Sequence, residues 1–211
     1  METSELLGVL ERQRERERDF AANWHETPGG WTGGQLFGHL AAWRKRLLHC
    51  LATGEPPPTS ADEINDAEIP ALRGEDTAAA AARAGALLER LRSAVSDRGP
   101  DTPLRWYSVN TLGEAVLRNT VGHPSQHMLE HLLELAQVEA AAELAETVVK
   151  EYRTLQLGPA MIGGPLYNPD VARVKQGRLE EARVLVEEAR RERPDSAAAA
   201  GTDPDLAPLR G

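Results

Sequence analysis

Cysteine is all but missing from this chain, with Cys50 standing alone among 211 residues. One thiol closes no intramolecular disulfide and builds no cysteine-based zinc site, so a reducing, cytoplasmic setting is expected. Blocks of Lys or Arg set apart from Glu are also lacking. With 33 acidic residues against 24 basic ones the chain offers no footprint for a polyanion, and nucleic acid is not an expected partner. No apolar run is long enough to span a bilayer, and the opening Met-Glu-Thr-Ser-Glu has neither a basic n-region nor an apolar h-region. Neither membrane insertion nor secretion is expected.

Apolar residues make up 41% of the chain, enough to close a core without disulfide or metal staples. Their periodicity is helical almost throughout, so the expected fold class is all-α: a four-helix bundle with a short C-terminal helical hairpin and no sheet. A first helix spans about 5–24. Its apolar stripe through Leu6, Leu10 and Trp24 passes over Gln13 and Glu17, which places both on the side that should be buried. They are candidate pocket residues, with Glu17 as a partner, base or fourth ligand of a site; the competing reading is a rotated helix with both in solvent.

Thr32-Gly33-Gly34-Gln35 has the form of a capping box and opens a second helix over 33–53, with an inner row of Leu36, Leu40, Trp43, Leu47 and Leu51. Gly54 and Pro56-Pro57-Pro58 end it. A long connection follows over 55–75, holding one short turn around Ile64. Asp76 or Thr77 starts a third helix over 77–95 with inner residues Ala80, Ala84, Leu87, Leu91 and Val95. A second capping box, Thr111-Leu112-Gly113-Glu114, starts the fourth, expected over 112–136 or beyond. The expected domain plan is a bundle at 1–137, a helical extension and linker at 138–165 around Gly163-Gly164-Pro165, and a hairpin and Pro-rich tail at 166–211.

His123 and His127 form a His-x-x-x-His pair on the fourth helix, a spacing that stacks two imidazoles one turn apart and lets both reach one ion at about 2.0–2.1 Å. His39, on the inner flank of the second helix, is the candidate third ligand, since metal sites in bundles draw on inward side chains of facing helices. Three histidines leave coordination positions for water or substrate, which is the catalytic arrangement rather than the structural one. Imidazole suits several divalent metals, zinc and nickel among them. Trp43 belongs to the same pocket, and His131, one turn past His127, is either a second-layer residue or a surface one. His25 and His49 read as loop or exposed positions. No catalytic residue is assigned. Pro124 complicates the picture, because proline disfavours α conformation in the residue before it and removes a helical hydrogen bond. A kink there either swings His123 inward or spoils its offset from His127.

Trp31 with Gly38-His39-Leu40 and Trp43, the Asp62-Glu63-Ile64-Asn65 loop, and Asn119-Thr120-Val121-Gly122-His123 with His127 resemble the DinB superfamily, and within it the ClbS/DfsB-type four-helix proteins. The resemblance covers roughly residues 1–135. It implies a bundle with a long connection between its second and third helices, a metal site at His39, His123 and His127, and homodimers. Activities in that family include metal-dependent thiol transfer and ring-opening hydrolysis. Beyond residue 165, Leu166-Tyr167-Asn168, Gly177-Arg178-Leu179-Glu180-Glu181-Ala182 and Arg193-Pro194-Asp195 resemble a single tetratricopeptide hairpin. Three readings follow. One is a metal-dependent hydrolase or transferase acting on a small electrophilic compound; the second is a non-enzymatic dimeric module whose hairpin recruits a protein; the third is a metal-free helical scaffold whose histidines only pack or titrate.

Overall fold

The computed structural model describes residues 1–155, 157–192 and 203–210. By its internal contacts the chain divides into Met1–Pro124 and Ser125–Gly211, and each unit is described in turn.

The first unit contains α1 (Thr3–Ala22), α2 (Gly33–Thr53), α3 (Ala61–Glu68) and α4 (Thr77–Arg98), then two short strands, β1 (Pro103–Trp106) and β2 (Val109–Thr111), and α5 (Leu112–Leu117). A π-helical turn, Arg118–Gly122, follows, and α6 (His123–Glu134) continues from it. Thr32 caps α2 as its sequence dictates: the Gln35 N–H donates to Thr32 Oγ1 at 3.2 Å, and the Thr32 N–H donates to Gln35 Oε1 at 3.0 Å. Gly54 then stops the helix in a left-handed conformation, φ 75°. Asp76 caps α4 by accepting from the Ala79 N–H at 2.8 Å. At Thr111 only half of the expected box forms. Glu114 N–H donates to Thr111 Oγ1, but the Glu114 carboxylate accepts from the Asn110 N–H instead of the capping residue's own.

Leu36, Phe37, Leu40 and Ala41 of α2 pack on Ala80 and Ala84 of α4, with Phe20, Trp24 and Trp31 against them. A Cβ on Gly34 would run into the Glu75 carbonyl, so the first turn of α2 lies directly against the segment entering α4. Leu6, Val9 and Leu10 bury the start of α1, and the same face continues into Gln13 and Glu17, both buried as the stripe requires.

Several expectations need correction. The buried leucine in the middle of α4 is Leu88; Leu87 is only partly buried. The 55–75 connection carries an eight-residue helix, α3, and a 3-10 turn, Ile69–Leu72, where one short turn was expected. The expectation of no sheet also fails, because β1 and β2 form an antiparallel hairpin with Trp106 opposite Val109. Strands of four and three residues carry too short an alternation to stand out in sequence. The kink expected at Pro124 is a widened turn. Proline offers no N–H to the carbonyl four residues back, and the chain answers with a π-turn in which the His123 N–H donates to the Arg118 carbonyl, five residues back.

In the second unit α6 ends at Glu134, short of the expected 136 or beyond. The Ala136 and Gln137 N–H groups turn back to the Leu133 and Leu132 carbonyls, with Ala136 at φ 56°, a Schellman closure made without glycine. Then come α7 (Val138–Thr154), α8 (Pro159–Lys175) and α9 (Leu179–Glu192), and a 3-10 turn, Pro204–Arg210. Helix α8 runs straight through Gly163-Gly164-Pro165, the stretch expected to be a linker. Pro159 occupies its first turn, where a missing N–H costs nothing, and packing against α7 and α9 outweighs the breakers inside it. Gly177, φ 74°, makes the expected turn between α8 and α9. The core of this pair is Val171, Val174, Ala182 and Val186, closed by Leu206 from the final 3-10 turn, so part of the expected tail is built into the unit. The Arg193-Pro194-Asp195 motif lies outside the described residues. Among the described residues no helix is long and apolar enough to cross a membrane.

Candidate metal centre

Helix α2 presents His39 one turn ahead of Trp43, on the face that meets the π-turn. His39 is 3% exposed, and its Nε2 lies 3.0 Å from Nε2 of His123, the first residue of α6. A pair of imidazole nitrogens at that distance either shares one proton or forms one edge of a coordination polyhedron. Two bonds of about 2.1 Å meeting at 90–109° span about 3.0–3.4 Å, so the separation fits ligands of one ion. His127 follows one turn later on the same helix. One ring nitrogen from each of His39, His123 and His127 lies within 4.8 Å of the other two. Among the described residues this is the one group of three or more metal-ligating side chains gathered so closely. All three donors are imidazoles, which suit a borderline divalent cation.

The layer around the histidines orients them. Glu130 Oε2 accepts from His127 Nδ1 at 3.1 Å, which puts the ring's lone pair on Nε2. Burial pushes the Glu130 carboxyl up, but the bond and charge of His127 and a bond from Gln126 outweigh it and hold the group below its ordinary value. The chain is only 4% aromatic, yet its rings collect here. Trp31 stands edge-on to His39 at 5.2 Å, and Trp43 stands edge-on to His39 at 6.3 Å and to His123 at 6.5 Å. Trp43 is held at both ends: its indole N–H donates to Asn65 Oδ1 at 3.0 Å, and its carbonyl accepts from Asn119 Nδ2 at 3.3 Å. Its ring carries the Arg46 guanidinium at 4.9 Å, a cation–π arrangement.

A family model of the DinB superfamily matches residues 4–135. This chain belongs to the DinB superfamily. Comparison with curated proteins and with solved structures gave no match. In this DinB chain the structure brings together the histidines that the sequence singled out, with Trp43 beside them, and it leaves others apart. His131 is buried one turn beyond His127 and outside the three-histidine group, its Nδ1 3.8 Å from Glu134. Gln13 and Glu17 are buried, but not as ligands. Both Glu17 oxygens accept from Arg44, at 2.5 and 2.8 Å, and Gln13 Nε2 donates to Glu17 at 2.8 Å. The base or fourth-ligand role expected of Glu17 gives way to an ion pair. Arg44, fully buried beside Trp43 in sequence, was missed; an arginine between two apolar rows of a helix gives no signal of where its partner will be.

Proposed function

We propose that this DinB-superfamily chain binds one divalent cation, zinc or nickel, through His39, His123 and His127, and acts as a metal-dependent hydrolase or transferase on a small electrophilic compound. The observation that carries the proposal is the convergence of three imidazoles within 4.8 Å, with one pair at a distance that fits the edge of a metal's coordination shell. A divalent ion held there supplies Lewis acidity, which polarises an electrophile and lowers the pKa of a nucleophile at the same centre. The protein's part is to hold and orient. Glu130 sets the tautomer of His127, while Trp31 and Trp43 stand edge-on against His39 and fix its ring between them. Among the described residues three protein ligands gather, which supports a reactive centre over a closed structural one.

The test is metal analysis of protein purified without a histidine tag, followed by calorimetric titration with zinc and with nickel. Near-stoichiometric metal in the wild type, lost in His39→Ala and in His127→Ala, supports the proposal. Wild-type protein that binds neither ion more tightly than the triple alanine variant refutes it.

A further inference from the structure

Helices α7 and α9 both pack on α8, and a groove of about 620 Å³ runs between them, wholly within Ser125–Gly211. Helix α7 turns Glu146, Val149, Lys150 and Arg153 to it, and α9 turns Glu181, Val184 and Leu185, each set at the spacing of one helix face. Ion pairs cross the groove on both sides of its middle. Arg173 of α8 meets Glu146 and, at 3.6 Å, Glu181, while Arg153 meets Glu188 at 2.5 Å. Along both helices the first bridge precedes Val149 and Val184 and the second follows them, so the stretch between is apolar. Val184 is 64% exposed, and among the described residues it is the one large apolar side chain left exposed. A lone exposed aliphatic residue is ordinary on a protein surface. Here it lines the same groove as Val149, Pro169 and Leu185, which makes it part of an apolar strip.

The charges on the groove decide what fits it. Both carboxylates that line it are committed to Arg173, and Arg153 is committed to Glu188. Lys150 is the lining ion that no described residue answers. A cationic partner meets no free carboxylate there, whereas an acidic one meets an unpaired ammonium beside apolar surface. The two strands of the chain lie in Met1–Pro124, so among the described residues this unit offers no strand edge to an extended peptide. A helix satisfies its own backbone and suits a cleft between helices. We propose that this groove docks a short, acidic, amphipathic helix of another protein, with aliphatic side chains on Val149, Val184 and Leu185 and a carboxylate on Lys150. The docking is independent of the histidine site and involves no metal.

Fluorescence anisotropy on the full chain compares two capped peptides of about three helical turns. One carries leucine along one face with glutamate beside it, and its twin has lysine for each glutamate. The acidic peptide should bind wild type about tenfold more tightly than the twin. Lys150→Glu should weaken the acidic peptide about fivefold and Val184→Ser about tenfold, the worth of one charge contact reversed and of one aliphatic side chain. Both positions are exposed, so neither change should move the melting temperature. Lys45→Glu, exposed on α2 in the other unit, alters the net charge equally and should leave binding as in wild type. Four results would each overturn the assignment: no binding of the acidic peptide to wild type, equal binding of its twin, equal losses in Lys45→Glu and Lys150→Glu, or full affinity in Val184→Ser.

Discussion

In Met1–Pro124 the buried carboxylate of Glu17 accepts from both terminal nitrogens of Arg44 and from Gln13, whereas in Ser125–Gly211 the fully buried Asp170 makes no well-formed hydrogen bond on either oxygen. The two units thus settle the same problem, an acid taken out of water, in opposite ways. Glu17 sits in a bidentate pair whose cation also donates to the Ala84 carbonyl at 3.0 Å, so α1, α2 and α4 meet at one ionic point. For Asp170, burial pushes the carboxyl up to about 8; the charge of Asp203 adds to this and the Val171 backbone N–H opposes it. That group stays in the core as a neutral acid. A paired charge ties helices together and fails if either partner goes, while a lone acid loads its unit with a cost that appears only when the proton leaves.

Removing one partner is the sharpest way to break this contrast. Arg44→Met leaves Glu17 buried without its cation and should destabilise the first unit by about 3–5 kcal/mol. Tryptophan fluorescence follows that unit alone, because Trp24, Trp31, Trp43 and Trp106 all lie within it. The double change Glu17→Leu with Arg44→Met should recover most of the loss, and a single-variant effect under about 1 kcal/mol would show that the pair is not the junction described.

A smaller effect is expected from pH. The folded-state pKa of Asp170 lies above its unfolded value, so the native unit holds a proton that the unfolded chain has already released. Stability therefore falls as pH rises towards about 8 and levels off above it. Between pH 6 and pH 8 the loss should be about 2 kcal/mol. Hydrogen exchange of the α8 and α9 amides should record it in wild type and show a flat profile in Asp170→Asn. An equal slope in both proteins would mean that another group titrates.

The smallest change sharpens the comparison from the side of local structure. Thr32→Ala removes the α2 cap without touching any buried charge and should cost about 1 kcal/mol. Urea titration followed by tryptophan fluorescence measures it, and a loss as large as that from Arg44→Met would mean that the cap, not the ion pair, anchors α2.

Much of the site was legible in sequence. The His-x-x-x-His spacing, the inner flank of His39 and the depth of Gln13 and Glu17 all follow from a period of 3.6 residues. The partner of Glu17 was not, because Arg44 lies 27 residues away and nothing local distinguishes it from a solvated arginine. Nor was the β1–β2 hairpin, since a Tyr-Ser turn is not among the residue pairs that announce one.

What the sequence by itself determined are features decided within about one turn of the chain: the caps at Thr32 and Asp76, the stop at Gly54, the buried stripe of α1 and the single turn between His123 and His127. Such features depend on backbone groups three or four residues apart, which are neighbours in any helix. Tertiary structure alone decided that His39 meets His123 across 84 residues, that Arg44 rather than solvent answers Glu17, that a π-turn absorbs Pro124, and that α8 passes through a stretch rich in helix breakers. Those outcomes depend on which surfaces are left to be buried once the helices pack, and packing energy exceeds the local preferences it overrides.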